Sequence, residues 1–257
     1  MKNTLFKLFL WLIFLFFTGL LFAAILSLFF MLNLDDILIN LRSEEMFYSL
    51  KLSIFSSALS TFIVMVVAVS SGYVLARFQF RGQHLFRTII DLPMALPELV
   101  LGLCLLLLLG QGPLSLWSKN IVFSKEAIVI AQIFTAAPYA IRIMYGTFCS
   151  INPRYELVAR SLGCDLVSCF FRVSLPMAKG GFLAAIVIAF ARSVGCFGTV
   201  LVLAGGTRMY TETLPIALFL NISYGNLPVA ITAGVVLIII SLLSILIFEC
   251  MNRDVFV

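Results

Sequence analysis

Residues 152–176 read NPRYELVARSLGCDLVSCFFRVSLP and lie between two long apolar runs. The stretch opens with Asn152-Pro153, a side-chain acceptor at a cap followed by a residue whose fixed φ suits the first helical position. Glu156 falls in the first turn and Arg160 four residues later, a spacing that favours an ion pair and complements the helix dipole. Gly163 supplies a left-handed stop. A second short amphipathic piece starts at Asp165, carries Phe170, Phe171 and Val173, and ends at Leu175-Pro176. The pattern predicts two short helices at a turn, held against a membrane face. An amphipathic linker of any membrane protein would share this composition.

The rest of the chain supplies the membrane. Of 257 residues, 62% are hydrophobic and only 11% charged, against about 25% charged in an ordinary soluble domain. A soluble fold of this size needs a polar shell that this composition cannot provide. A spanning helix takes about 20 mostly apolar residues. Six candidates follow, at residues 8–32, 52–75, 92–109, 127–146, 181–203 and 229–248. In lipid each must satisfy its own backbone, so each is read as a helix and the fold as all-α. Pro93, Pro97 and Pro138 interrupt the third and fourth. The first run follows Lys2 and Lys7 but is longer than a signal core and has no clean cleavage site, so it is expected to be retained.

Basic residues in the short loops set the expected orientation. Arg77, Arg81 and Arg87 follow the second span, and Arg154, Arg160, Arg172 and Lys179 follow the fourth. Loops after the third and fifth hold only Lys119, Lys125 and Arg208, and residues 33–51 carry four acids against Arg42 and Lys51. Both termini are therefore expected inside. The net charge of +5 is a topology signal, and nucleic acid need not be invoked.

Cys104 and Cys196 fall within expected helices, Cys149, Cys164 and Cys169 in the long inner loop, and Cys250 at the inner end. This argues for reduced thiols, and no C-x-x-C spacing suggests a metal. There is no G-x-x-x-x-G-K-[ST] phosphate loop, so the chain is not expected to bind ATP by that route. The one histidine, His84, stands in a basic loop, and no catalytic constellation is evident. The chain reads as a non-enzyme without a cofactor or metal of its own.

The order of Glu156, Ala159 and Gly163, with Leu175-Pro176 closing thirteen residues after the glycine, resembles the EAA loop of ABC importer permeases. The resemblance runs from about residue 45 to 247. LPMALPELVLG (92–102), AAPYAIR (136–142), FARSVGCFGTVLVLAGG (190–206) and TETLPIALF (211–219) are similar to the molybdate, tungstate and sulfate permeases. It implies a single type I permease domain over 1–257, with an N-terminal helix at 8–32, a core at 45–249 and a coupling loop at 147–180. Glu156, Ala159, Arg160, Gly163, Leu175 and Pro176 would then couple to ATP-binding subunits. A second permease copy, an outer binding protein and an inner-membrane location are implied with it. Two departures stand out: the group often has Glu where this chain has Cys196, and an uncharged residue where it has Glu98.

Ionisable residues inside a membrane are costly and mark candidate sites. Arg142 lies near the inner end of the fourth span, where it can snorkel to water. Arg192 is expected near mid-depth of the fifth span, and Glu98 about one and a half turns into the third. The expectation is that Glu98 pairs with Arg192 across the bundle; the alternatives are a vestibule-facing Glu98 and an Arg192 bonded to carbonyls. Pro97, Glu98, Arg192, Cys196, Phe197 and Thr199 are the expected translocation-path residues, although the spacing of Phe197 fits packing equally well. Molybdate or tungstate is the expected cargo, with sulfate close behind. An ion-coupled secondary transporter is the reading from another class, but it would need repeats and more embedded carboxylates.

Overall fold

A computed structural model describes residues 2–30, 34–112 and 120–252. Leu32, at the end of the first expected span, and Lys119 lie outside the described residues, as does the side chain of Cys250. The helices are α1 (Lys2–Phe30), α2 (Leu34–Leu41), α3 (Glu44–Arg77), α4 (Gln83–Ala95), α5 (Glu98–Gly110) and α6 (Lys125–Ser150). They continue as α7 (Arg154–Ser161), α8 (Leu166–Met177), α9 (Lys179–Val194), α10 (Gly198–Ala204), α11 (Leu214–Ser223) and α12 (Leu227–Asn252). Four of them are long and apolar enough to cross a membrane, and six spans result if each bent pair counts as one.

The two expected spans that carry Pro97 and Arg192 are both broken. α4 and α5 are bent by 116° relative to each other, because Pro97 removes a backbone donor and forces Leu96 into an extended conformation (φ −80°, ψ 141°). Glu98 is therefore the first residue of a helix, and the expected depth of one and a half turns is wrong. Residues 181–203 are likewise α9 and α10, separated at Gly195–Phe197, so Arg192 lies in the last turn of α9 and Cys196 in the break. α8 and α9 are bent by 74°. Much of the expected loop at 33–51 is helical, because the Ser43 hydroxyl accepts from the Met46 amide and Glu44 and Glu45 occupy the first turn of α3.

The core is the pairing of α3 with α6, with α9 against both. Ser49, Ser53, Ser56, Ser57, Ser60 and Thr61 of α3 are buried, and such small side chains let backbones approach closely in a membrane. Gln132 of α6 locks the pairing: its Oε1 accepts from Ser60 at 2.8 Å, and its Nε2 donates to Ser56 at 3.1 Å and Ser57 at 3.3 Å. α12 lies on α11 and α9, while α1 touches α12 only lightly. The side chains of α1 are exposed along nearly its whole described length, which suits lipid and not water.

Candidate functional site

Two clusters bring the expected residues into geometry. The first is at α7. The Asn152 carboxamide accepts from the Arg154 amide at 3.0 Å, as its position predicted. Gly163 has φ +93°, and its amide donates to the Arg160 carbonyl at 3.0 Å while Cys164 N–H reaches Ala159 O at 3.1 Å. Outward, α7 exposes Tyr155, Leu157, Val158 and Arg160, with Leu162 just beyond its end. Ala159 and Leu175 are half-buried and Pro176 is exposed.

Glu156 does not pair with Arg160. Its Oε1 accepts from Arg77 Nε at 2.8 Å and from the Ser174 hydroxyl at 2.8 Å, and its Oε2 from Tyr73 OH at 3.3 Å. The two remaining Arg77 nitrogens donate to the Phe148 and Ile151 carbonyls, at 2.9 and 3.1 Å. These carbonyls belong to the C-terminal end of α6, which has no further turn to accept for. From the sequence alone Arg77 reads only as a topology charge. Its position as the last residue of α3 was the available signal.

The second cluster is where α5 meets the α9–α10 break. Glu98 Oε2 accepts from Gly198 N–H at 2.9 Å and from Phe197 N–H at 3.3 Å, so the carboxylate caps α10 from another helix. Thr199 Oγ1 donates to the Glu98 carbonyl at 3.1 Å and accepts from the Thr135 hydroxyl at 3.3 Å. Cys196 Sγ donates to Thr135 Oγ1 at 3.4 Å. A Cβ on Gly198 would fall 2.9 Å from Glu98 Cβ, so only glycine permits this approach. Pro97, Glu98, Cys196, Phe197 and Thr199 are thus assembled, and the Phe197 ring packs on Phe219 at 5.2 Å.

Arg192 stands apart. One of its Nη atoms donates to Tyr139 OH at 2.7 Å, its guanidinium lies 4.3 Å from the centre of that ring, and its Nε is buried without a partner among the described residues. The expected Glu98–Arg192 pair is not formed: among the described residues the ion pairs are Arg77–Glu156 and Arg208–Glu45. The broken helices explain this, since Glu98 satisfies the amides exposed by the break. Arg142 is exposed and lines a cavity of about 130 Å³ with Arg87 and Asp91.

At the end of the bundle carrying the start of α3, the loop after α10 folds onto that helix. Arg208 pairs with Glu45, Asn221 Nδ2 donates to Glu45 Oε1 at 3.3 Å, and Tyr48 OH donates to Tyr210 O at 2.8 Å. Glu212 is fully buried, with Oε2 accepting from the Met209 amide at 3.0 Å. Burial holds its carboxyl above the usual range, the Met209 amide pulls it back, and the Glu45 charge pushes it up again.

Broken spans, a buried polar seam and an amphipathic surface helix describe a multi-pass helical membrane protein. Residues 68–257 match the family described as binding-protein-dependent transport system inner membrane component, and the chain belongs to that family of ABC importer permeases. The molybdate/tungstate transport system permease protein WtpB of Methanocaldococcus jannaschii is 29% identical over 224 residues, covering 86% of this chain and 88% of that protein. A probable molybdenum ABC transporter permease of Haloferax volcanii is 34% identical, covering 79% and 74%. The sulfate transport system permease protein CysW of Synechocystis is 32% identical, covering 80% and 76%. The bacterial alginate ABC transporter, solved with its alginate-bound periplasmic protein, superposes with a TM-score of 0.78 at 16% identity, covering 99% of this chain and 96% of that one. The likeness supports the type I permease fold.

Proposed function

We propose that the chain is one of two identical permease subunits of an importer that carries molybdate or tungstate inward. The observation that carries the reading is kinship along most of the chain to molybdate/tungstate and molybdenum permeases. Arg192 supports an oxyanion: it stands beside a helix break with a donor that no group among the described residues accepts. The negative charge of Glu98 is no obstacle, because two backbone amides already bind it.

In this reading both termini face the cytoplasm and the protein lies in the inner membrane. An outer binding protein delivers the anion to the mouth formed by the loop after α10. Two partner ATPases, which bind the ATP, grip the exposed face of α7 through Tyr155, Leu157, Val158 and Leu162. Glu156 ties that helix to the membrane domain through Arg77, and Ala159, Arg160, Gly163, Leu175 and Pro176 complete the coupling loop. ATP-driven closure moves it and switches the path past Pro97, Glu98, Arg192, Cys196, Phe197 and Thr199. Sulfate is the second reading, favoured by the comparable identity to CysW.

The test is reconstitution with the ATPases and binding protein, measuring ATP hydrolysis stimulated by molybdate, tungstate and sulfate. Stimulation by either of the first two at lower concentration than sulfate is expected. Stimulation by sulfate alone would replace the cargo, and no ATPase association would remove the coupling assignment.

A further inference from the structure

We propose that Arg77 is the positioning residue through which movement of α7 is passed to α3 and α6. The inference rests on the reading of α7 as the element that contacts the ATPases. One guanidinium makes all the relevant contacts. Its Nε binds Glu156 of α7 at 2.8 Å, and its other nitrogens bind the Phe148 and Ile151 carbonyls at the end of α6, at 2.9 and 3.1 Å. The residue itself terminates α3, the helix that forms the core pair with α6.

The carboxylate side is equally constrained. Glu156 also binds Ser174 of α8 and Tyr73 of α3, so four helices converge on one ion pair. Ser174 is fully buried and ends a π-helical turn, Phe170–Ser174, inserted within α8. Such insertions occur often at functional positions. Tyr73 is held in turn by edge-on rings of Phe148 at 5.3 Å and Phe170 at 4.8 Å.

The pair is largely buried, with side-chain exposures of 9% for Arg77 and 12% for Glu156. A displacement of α7 therefore cannot be absorbed by water slipping between the partners. It must move the guanidinium, and with it the ends of α3 and α6. Lysine could replace the charge but not the planar fork, since its single ammonium cannot span Glu156 and two carbonyls in this geometry.

The experiment uses the full chain assembled with its ATPases in proteoliposomes, with molybdate as the probe. The readout is molybdate taken up per ATP hydrolysed, alongside the amount of ATPase that co-purifies. Arg77→Lys is expected to keep the ATPases bound and hydrolysing while uptake per ATP falls roughly tenfold. Tyr73→Phe and Ser174→Ala each remove one bond to Glu156, and a fall of roughly twofold to threefold is expected. An unchanged ratio in Arg77→Lys, or uptake and hydrolysis falling in proportion, would overturn the proposal. If Arg77→Lys does not assemble, an unchanged ratio in both milder variants overturns it and a reduced ratio supports it. Absence of ATPase binding in the wild type would bring down both readings. A wild-type response to sulfate and not to molybdate would remove only the substrate reading, and the ratio is then measured with sulfate.

Discussion

The Glu98 carboxylate and the Gly198 amide stand 2.9 Å apart, so that one broken helix caps another. Neither half-helix could end in the membrane on its own terms. The break at Gly195–Phe197 exposes amides that lipid cannot satisfy, and Glu98 at the start of α5 accepts two of them.

Removing that acceptor therefore tests the arrangement. Glu98→Leu leaves the Phe197 and Gly198 amides without a partner and is expected to cost about 1–3 kcal/mol. Glu98→Gln keeps an acceptor oxygen and should cost less. Thermal unfolding of the two variants in the same detergent checks the order; equal losses would contradict the capping role.

Gly198→Ala tests the approach itself. Its Cβ would meet Glu98 Cβ at 2.9 Å, so the two helix ends must separate. A loss of about 1–3 kcal/mol is expected from overpacking. The same change at Gly19, where nothing lies within 4 Å of the added carbon, should leave stability unchanged.

Gln132→Leu empties the polar seam of α3 and α6, removing bonds to Ser56, Ser57 and Ser60. Interhelical hydrogen bonds in membranes contribute about 0.6 kcal/mol each, so a loss of roughly 1–2 kcal/mol is expected. Thermal unfolding in detergent checks the loss, and an unchanged melting temperature would contradict the role of the seam.

Glu212 gives a pH prediction. Its carboxyl titrates above the usual range because it is buried and faces Glu45, with Arg208 opposing from the same loop. The folded state thus holds the proton more tightly than the unfolded chain does. Stability is favoured below the ordinary carboxylate range and declines as pH rises through the raised value, then levels off. Glu212→Gln should flatten this slope in melting temperatures taken across mildly acidic pH. An unchanged slope would place its origin elsewhere.

Some of this was legible from residues alone. Asn152, Gly163 and Pro176 announce the surface helices, because caps, left-handed turns and proline act over a few residues. Pro97 announced a weak point in the third span. The bend of 116° and the break after Arg192 were not legible, since an apolar run looks continuous whether or not its backbone turns. The partners of the charges were missed for a related reason. Glu156 has Arg160 at a favourable spacing, yet it pairs with Arg77, 79 residues away in sequence.

The sequence by itself determined a helical membrane protein with a capped surface loop between two of its apolar runs. Composition and short-range spacing decide those features, whatever the chain's path. Only the tertiary structure decided that Glu98 closes a helix break, that Arg192 leans on Tyr139, and that the Arg77–Glu156 pair joins four helices. Each buried charge takes the partner that best replaces its lost water, and that partner is chosen by which backbone ends are brought together.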